Sequence, residues 1–196
     1  MRYYMMPHIN FRVQIKHTII ELIDGDITKQ DVDAIVNAAN SSLLGGGGVD
    51  GAIHRAAGPE LLAETRQLDG CQTGDAKITR GYKLKARYVI HTVGPIYQAR
   101  DALVPQQLAS AYRRSLEVAE ANRIRSIAFP SISTGAYGYP LEEAAPIALK
   151  TIIDYITEHE AFDCVRFVLF NEQSIEAYTH VLNKLTRLHA DTMKQI

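Results

Sequence analysis

Four consecutive glycines, Gly45 to Gly48, follow an apolar stretch that carries two asparagines, Asn37 and Asn40. Glycine loses more backbone freedom on folding than any other residue, so such a run is costly to order. Residues without side chains that lead into a helix let consecutive backbone N–H groups converge on an anion at the positive helix end. The pattern therefore favours a phosphate or diphosphate site, and the alternative is a flexible surface loop.

A second segment rich in small residues, SISTGAYGY at Ser131–Tyr139, lies between the apolar run SIAFP and a stretch of helical period. In open α/β sheets, ligands bind at the carboxyl ends of the strands, which is where this segment is predicted to lie. Two such loops from different parts of the chain could hold one diphosphate from both sides. The alternative is two unrelated loops.

Asp50 lies just past the glycines, at a predicted helix start. A carboxylate beside a phosphate site repels the ligand, so its presence is best explained if it holds or deprotonates a water molecule. The alternative is an acidic residue stabilised by the helix dipole. His54, four positions later, shares the helix face of Asp50, and a packing or surface role is favoured for it because no metal partner or nucleophile is evident.

Asp26 follows an apolar run, and His91 interrupts one. Asp26, in DGDIT, either caps a turn or accepts a hydrogen bond from the amino group of a base. His91, in YVIHTVGP, is expected to be a strand residue satisfied by hydrogen bonds. Asn37 and Asn40 could serve turn chemistry alone.

Three common motifs fit the chain poorly. Gly46, Gly48 and Gly51 match G-x-G-x-x-G with Asp69 following 18 positions later, but that fingerprint belongs directly after the first strand. No Gly-Lys-Ser/Thr follows the glycines, so a P-loop is not supported. The segment Ser131–Gly135 lacks the first glycine of a G-x-S-x-G nucleophile elbow.

The elements that must position these residues alternate between short β-branched runs and longer segments of helical period. This alternation is typical of an α/β domain with a mainly parallel sheet covered on both faces. Strands are predicted at Thr18–Ile23, Ala34–Asn37, Ala76–Thr79, Tyr88–Val93, Ser126–Ile132 and Val165–Phe170. Helices are predicted at Ile53–Leu68 with a break at Gly58-Pro59, at Pro105–Arg123, at Leu141–His159 with regular helix only from about Pro146, and after the last strand.

The length and composition of the chain favour a single domain. With 196 residues and 46% hydrophobic composition, we expect residues 18–196 to form a single domain, preceded by an extension of uncertain order at residues 1–17. The 21 basic and 22 acidic residues are scattered, which counts against a nucleic-acid surface. Cys71 and Cys164 suggest neither a disulfide framework nor a zinc site. We expect a cytoplasmic protein, because neither a signal peptide nor a membrane span is apparent.

The chain resembles the macrodomain family, and within it the MacroD-type ADP-ribosyl hydrolases. The segments that carry the resemblance are GDIT at Gly25–Thr28, VNAAN at Val36–Asn40, GGGGVDGAIHRAAG at Gly45–Gly58, TG-A-IT within Thr73–Thr79, HTVGP at His91–Pro95 and FPSISTGAYGYP at Phe129–Pro140. The resemblance covers the chain from about Ile19 to Phe170. It implies a three-layer α/β/α fold with a mixed, mainly parallel sheet, and ADP-ribose bound in a cleft at the strand ends.

The resemblance also implies roles for individual residues. Asp26 would hold the adenine amino group with help from the Ile27 backbone, and Phe170, or its neighbour Asn171, would stack on adenine. The first phosphate loop would contain Gly47, Gly48 and Val49, with Asn37 also at the ligand. The second would contain Ser133, Thr134, Gly135, Ala136 and Tyr137, and Tyr137 would also pack on the distal ribose. Asn40 would orient that ribose, and Asp50 would position or activate water.

The implied activity is removal of mono-ADP-ribose from acidic side chains of proteins and deacetylation of O-acetyl-ADP-ribose. No cofactor or metal is expected. Macrodomains that only recognise ADP-ribose commonly lack the Asn40/Asp50 pair, so hydrolysis is favoured over a second hypothesis, a non-catalytic ADP-ribose-binding module. A third hypothesis, an RNA-associated regulator, is disfavoured by the near-neutral charge.

Overall fold

One mixed sheet of eight strands runs through the described part of the protein. The computed structural model describes residues 8–196, with side chains described from Phe11 onward. The strands are β1 (His8–Ile15), β2 (Thr18–Asp24), β3 (Ala34–Ala38), β4 (Ala76–Arg80), β5 (Tyr88–Thr92), β6 (Ser126–Phe129), β7 (Cys164–Leu169) and β8 (Met193–Gln195). The helices are α1 (Gly48–Ala57), α2 (Pro59–Arg66), α3 (Leu103–Ala121), α4 (Leu141–Glu158) and α5 (Glu172–Leu188).

The strand order is β4-β5-β3-β6-β7-β2-β1-β8. The central strands from β5 to β2 pair in parallel. The outer strands β4, β1 and β8 pair antiparallel. The predicted mixed, mainly parallel sheet is thereby confirmed. Because all parallel strands point the same way, the loops that follow β3, β5, β6, β7 and β2 emerge at one edge of the sheet.

Two apolar clusters separate the layers, because successive side chains of a strand face opposite sides of the sheet. Ala34 and Val36 of β3 pack with α3, α4 and α5 in the larger cluster. Ile35, between them, packs with α1 and α2 in the smaller one. The central strands β2, β3, β5, β6 and β7 are mostly buried on both faces, as a sheet covered by helices on both sides requires. This is the predicted α/β/α arrangement.

The helix and strand bounds differ from the predictions at a few places. Helix α1 begins at Gly48 rather than at Ile53, and it ends before Gly58, whose φ of 93° and following Pro59 produce the expected break. Helix α4 is regular from Leu141 and contains Pro146, so the irregular first turn predicted there is absent. Strand β6 ends at Phe129, short of the predicted Ile132, because Pro130 has no N–H to continue the ladder.

The sheet begins before position 18, where the sequence analysis places the start of the domain. Residues 8–15 form β1, which pairs with both β2 and β8. Its Val13 and Ile15 are buried in the larger apolar cluster. The alternation of apolar and polar residues over Phe11–Ile15 is a strand pattern that the prediction overlooked. Residues 1–7, the rest of the predicted extension, lie outside the described residues.

Asp33 joins the amino ends of three parallel strands. Its carboxylate accepts a hydrogen bond of 2.6 Å from the Arg87 guanidinium, which precedes β5. It also accepts from the backbone N–H groups of Arg125 and Ser126, both at 3.0 Å, and from the Ser126 hydroxyl at 3.1 Å. We call Asp33, Arg87, Arg125 and Ser126 the Asp33 cluster. It lies at the opposite edge of the sheet from the candidate functional site.

Candidate functional site

A cleft of about 240 Å³ opens at the carboxyl ends of β3 and β6. We call Gly45–Gly48 the glycine loop and Ser131–Tyr139 the serine loop, and these two segments form opposite walls. The cleft is lined by Ala38, Ala39, Asn40, Gly46, Gly47, Gly48, Val49, Asp50, Gly94, Ser131, Ile132, Ser133, Gly135, Ala136 and Tyr137. Two loops that are far apart in sequence therefore face one another, as the sequence analysis predicts.

The glycine loop leads directly into α1. Gly47 is the N-cap of the helix and makes no side-chain cap, so the first N–H groups of α1 lack the partner that a Ser, Thr, Asn or Asp cap would supply. At Gly51 a Cβ atom would come within 2.4 Å of the Gly46 carbonyl oxygen, so only glycine permits this close approach of loop and helix. The result is a positive helix end whose backbone faces the cleft.

The serine loop is held from beneath by tyrosines. The Tyr112 hydroxyl on α3 accepts a hydrogen bond of 3.0 Å from the Ile132 N–H, and the Tyr178 hydroxyl on α5 lies 2.9 Å from the Ser131 hydroxyl. Ser133, which lines the cleft, has a positive φ of 67°, and its buried hydroxyl has no hydrogen-bond partner within the described part of the chain. An unpaired buried hydroxyl is costly, so its position favours a ligand that bonds to it.

Asn40 and Asp50 lie together beside Gly46. A Cβ atom on Gly46 would be 3.1 Å from Asp50 Oδ2 and 3.2 Å from Asn40 Nδ2. The Asn40 side chain donates to the Gly45 carbonyl at 2.9 Å and accepts from the N–H and the hydroxyl of Ser42, so its orientation is fixed. Asp50 is only 4% exposed, in the first turn of α1, where the helix dipole stabilises a carboxylate.

The two oxygens of Asp50 have different surroundings. Oδ1 accepts a hydrogen bond of 2.7 Å from Asn37 Nδ2, and His54 Nε2 lies 3.5 Å from the same oxygen. Oδ2 has no hydrogen-bond partner among residues 11–196. One oxygen is therefore held by the protein, while the other is buried without a protein partner in the described chain, at a residue that lines the cleft.

Asn37 differs from its expected place. It is fully buried, and its amide nitrogen is shared between Asp50 and His91, at 2.7 and 3.1 Å, so it supports Asp50 from behind and does not line the cleft. The His91 ring also lies 2.8 Å from the Thr79 hydroxyl, as expected of a satisfied strand histidine. No prediction from the sequence connected His91 with Asp50. The signal that the sequence offers is His91 itself, a polar residue within the mainly apolar strand YVIHT.

The residues predicted to hold adenine lie outside this cleft. Asp26 and Phe170 follow β2 and β7, neighbouring strands whose ends are joined by a bond from the Gly25 N–H to the Leu169 carbonyl. Asp26 Oδ1 accepts from the N–H and hydroxyl of Thr28, which confirms the capping role considered for it. Ile27 is buried, whereas Phe170 is 86% exposed, just beyond the end of its strand.

Gln30 supports the corner that carries Asp26, and Thr134 belongs to the serine loop. Gln30 is buried and donates to the Asp26 carbonyl at 2.9 Å while it accepts from Arg166 at 3.0 Å, so it fixes the turn that carries Asp26. The sequence analysis did not single it out. Thr134 lies beside the cleft without lining it, because its hydroxyl donates to the Ser131 carbonyl within the loop.

In residues 11–196, no three His, Cys, Asp or Glu side chains come together as a metal site. None of the described helices is long and apolar enough to cross a membrane. The residues that line the cleft offer backbone amides, hydroxyls, the Asn40 side-chain amide and one buried carboxylate.

An α/β/α domain with two amide-lined loops at the strand ends is suited to an anionic nucleotide. The chain belongs to the Macro domain family, whose model matches residues 36–148. It is 54% identical to the O-acetyl-ADP-ribose deacetylase of Klebsiella pneumoniae, with 83% of this chain and 95% of that protein covered. It is 55% identical to the ADP-ribose glycohydrolase MACROD2 of Xenopus laevis, with 88% of this chain and 42% of that protein covered.

The fold is also similar to that of solved structures. The macrodomain of Oceanobacillus iheyensis, solved with ADP, superposes with a TM-score of 0.87 at 46% sequence identity, covering 90% of this chain and 96% of that one. A variant of the same macrodomain has been solved with ADPR.

Proposed function

We propose that the protein is a hydrolase that binds ADP-ribose, removes mono-ADP-ribose from acidic side chains of proteins and deacetylates O-acetyl-ADP-ribose. The observation that carries the proposal is the buried Asp50 carboxylate, whose Oδ2 has no partner in the described chain and lies beside Asn40 at a cleft walled by backbone amides. The relatives named as an O-acetyl-ADP-ribose deacetylase and an ADP-ribose glycohydrolase support this activity.

The diphosphate would lie between the glycine loop and the serine loop. The free amides at the start of α1 and the Ser133 hydroxyl would donate to its oxygens. Hydrogen bonds to a charged group contribute about 1.5–3 kcal/mol each, so three or four of them together contribute about 4.5–12 kcal/mol before ordering costs, a range that includes the roughly 8 kcal/mol of micromolar binding. Gly47, Gly48, Val49, Gly135 and Ala136 would surround the phosphates because they bring backbone rather than long side chains to the cleft.

The two ends of the ligand would meet different residues. Adenine would lie at the corner formed by Asp26, Ile27 and Phe170, where Asp26 keeps one carboxylate oxygen beyond the one bonded to Thr28, and Phe170 offers an exposed ring for stacking. The distal ribose would lie against Tyr137 and Asn40.

Both proposed substrates join the distal ribose to an acyl group through an ester. Asp50 Oδ2 would accept a hydrogen bond from a water molecule and orient it for the reaction. Hydrolysis adds the elements of that water across the ester, so that a carboxylic acid and a ribose hydroxyl are released. Asn40, held by Gly45 and Ser42, would keep the ribose in place during this step.

The second candidate function is recognition of ADP-ribose without cleavage, which the same cleft would support. One incubation distinguishes the two. The protein is mixed with O-acetyl-ADP-ribose, or with an acceptor protein mono-ADP-ribosylated on glutamate, and the products are followed by mass spectrometry. Release of ADP-ribose at a rate proportional to protein concentration supports the hydrolase. Saturable binding in calorimetry with no product would support the recognition module instead.

A further inference from the structure

A chain of buried polar side chains crosses the sheet behind Asp50. It runs from Thr79 on β4 to His91 on β5, then to Asn37 on β3 and to Asp50 on α1, with successive separations of 2.8, 3.1 and 2.7 Å. Each of the four residues is at most 4% exposed. Buried polar groups on neighbouring strands are costly unless each is satisfied, so their hydrogen bonds constrain one another.

The proton positions along this chain follow from its members. The amide nitrogen of Asn37 can only donate, so His91 Nδ1 accepts from it and carries no proton. His91 Nε2 then carries the ring proton and donates to the Thr79 hydroxyl, which in turn donates to the Arg80 carbonyl at 3.2 Å. Burial, with a smaller contribution from His54, lowers the pKa of His91 to about 3, which keeps the ring neutral.

We propose that His91 is a positioning residue for the hydrolysis: by accepting one amide hydrogen of Asn37, it directs the other onto Asp50 Oδ1 and leaves Oδ2 without a protein partner in the described chain. The inference rests on the proposed function. Asn37 Oδ1 has no hydrogen-bond partner in the part of the chain described, so no bond to that atom sets the direction of the amide. A reversed amide would place its oxygen against the Asp50 carboxylate and, when the ring proton is on Nε2, against the unprotonated Nδ1 of His91.

Kinetics of His91→Phe and His91→Asn test the proposal. Phenylalanine keeps a ring but cannot accept from Asn37, whereas asparagine can place its oxygen near the position of Nδ1. We expect His91→Phe to lower kcat between about 10-fold and 100-fold, because small misplacements of a reacting group have effects of this size. The Kd for ADP-ribose stays within about threefold, since His91 lies outside the cleft lining. His91→Asn restores most of kcat.

Thr92→Val is the matched control. Thr92 is the next residue of β5, is fully buried, and donates to the Asp75 and Ala111 carbonyls rather than to the Asp50 chain. A merely structural His91 would behave like Thr92, with a lower melting temperature and an unchanged kcat for both variants. That outcome, or a failure of His91→Asn to exceed His91→Phe, would overturn the proposal.

A spectroscopic measurement on the unaltered protein keeps the proposal testable even if a variant does not fold. Long-range ¹⁵N–¹H correlation spectra distinguish the two neutral tautomers of histidine. We expect His91 to carry its proton on Nε2, without titration between about pH 6 and 8, where unperturbed histidines change charge. A proton on Nδ1 would contradict the proposal. If the unaltered protein releases no product, the proposed function fails, and the tautomer still decides whether His91 can hold Asn37 in this orientation.

Discussion

One oxygen of Asp50 is bonded to Asn37 and the other has no partner in the described chain, and this asymmetry makes its role separable from binding. Asp50→Asn keeps the size of the side chain and can still accept from Asn37. Because the variant has an NH2 group in place of Oδ2 and cannot accept a hydrogen bond from the water there, we expect kcat to fall by about 10²–10⁴-fold, with the Kd for ADP-ribose changed by less than about threefold. Product formation by mass spectrometry and binding by calorimetry measure the two effects.

The control for this change is Asp154→Asn. Asp154 pairs with the exposed Lys150 on α4, so its loss should leave both kcat and Kd unchanged. Equal losses of turnover and binding in Asp50→Asn would show that Asp50 supports the ligand rather than the water.

Asp26 offers a test of the adenine corner. Asp26→Asn retains the oxygen that caps the Thr28 turn, but the NH2 group that replaces the second oxygen can only donate and cannot accept from an adenine amino group. We expect the Kd for ADP-ribose to rise about tenfold or more, as the loss of one hydrogen bond with a charged group predicts, while ribose 5-phosphate binding is unchanged. Calorimetry with both ligands measures this. An equal effect on the two ligands would remove Asp26 from the base pocket.

Among the elements, the serine loop depends on a close approach by the segment after β5. A Cβ atom at Gly94 would lie 2.2 Å from Ser133 Oγ and 2.5 Å from Ile132 Cγ2. We therefore expect Gly94→Ala to displace the serine loop and weaken ADP-ribose binding by about tenfold, since overpacking typically costs 1–3 kcal/mol. Amide exchange of residues 131–139 measures the displacement.

Gly25→Ala is the comparison for this substitution. A Cβ atom at Gly25 would meet only Gln30 within 4 Å, at 3.7 Å, which is ordinary contact. It should leave the serine loop as protected as in the unaltered protein. Unchanged exchange and affinity in Gly94→Ala would contradict the proposed dependence of the loop on Gly94.

The same elements show what a sequence can and cannot predict. Strands β2 and β7 are predicted within about a residue, because β-branched runs between turn residues are strong signals. Both loops and Asp50 were also predicted. Runs of glycine and small residues, and a carboxylate beside a predicted phosphate site, can be recognised from a short stretch of sequence. The contact of Asn37 with His91 was not, because it depends on the pairing of β3 with β5 across 54 positions of sequence. Strand β8, only three residues long, pairs with a strand far away in the chain.

For the whole molecule, the Asp33 cluster predicts how stability depends on pH. Burial alone would raise the pKa of Asp33, but the hydrogen bonds from Arg87, Arg125 and Ser126 together hold it below its ordinary value. A folded-state pKa below the unfolded one means that the carboxylate stabilises the fold at neutral pH. This contribution is lost as the pH falls below about 4, where the unfolded carboxyl gains its proton first.

Urea unfolding of Asp33→Asn tests this dependence. We expect a lower free energy of unfolding than that of the unaltered protein at pH 7, and a smaller difference between the two at about pH 3. Asp154→Asn again serves as the control, because its partner Lys150 is exposed and surface pairs contribute little. A difference that stays constant across this range would contradict the role of the Asp33 charge.

The Asp33 cluster and the cleft are at opposite ends of β3, which is five residues long. At about 3.3 Å per residue, roughly 16 Å separates them, and effects of substitutions at such distances usually add. Thermal tolerance and ligand preference should therefore evolve independently in this scaffold. A laboratory selection for heat resistance could accumulate substitutions around Asp33 without changing which molecules bind in the cleft.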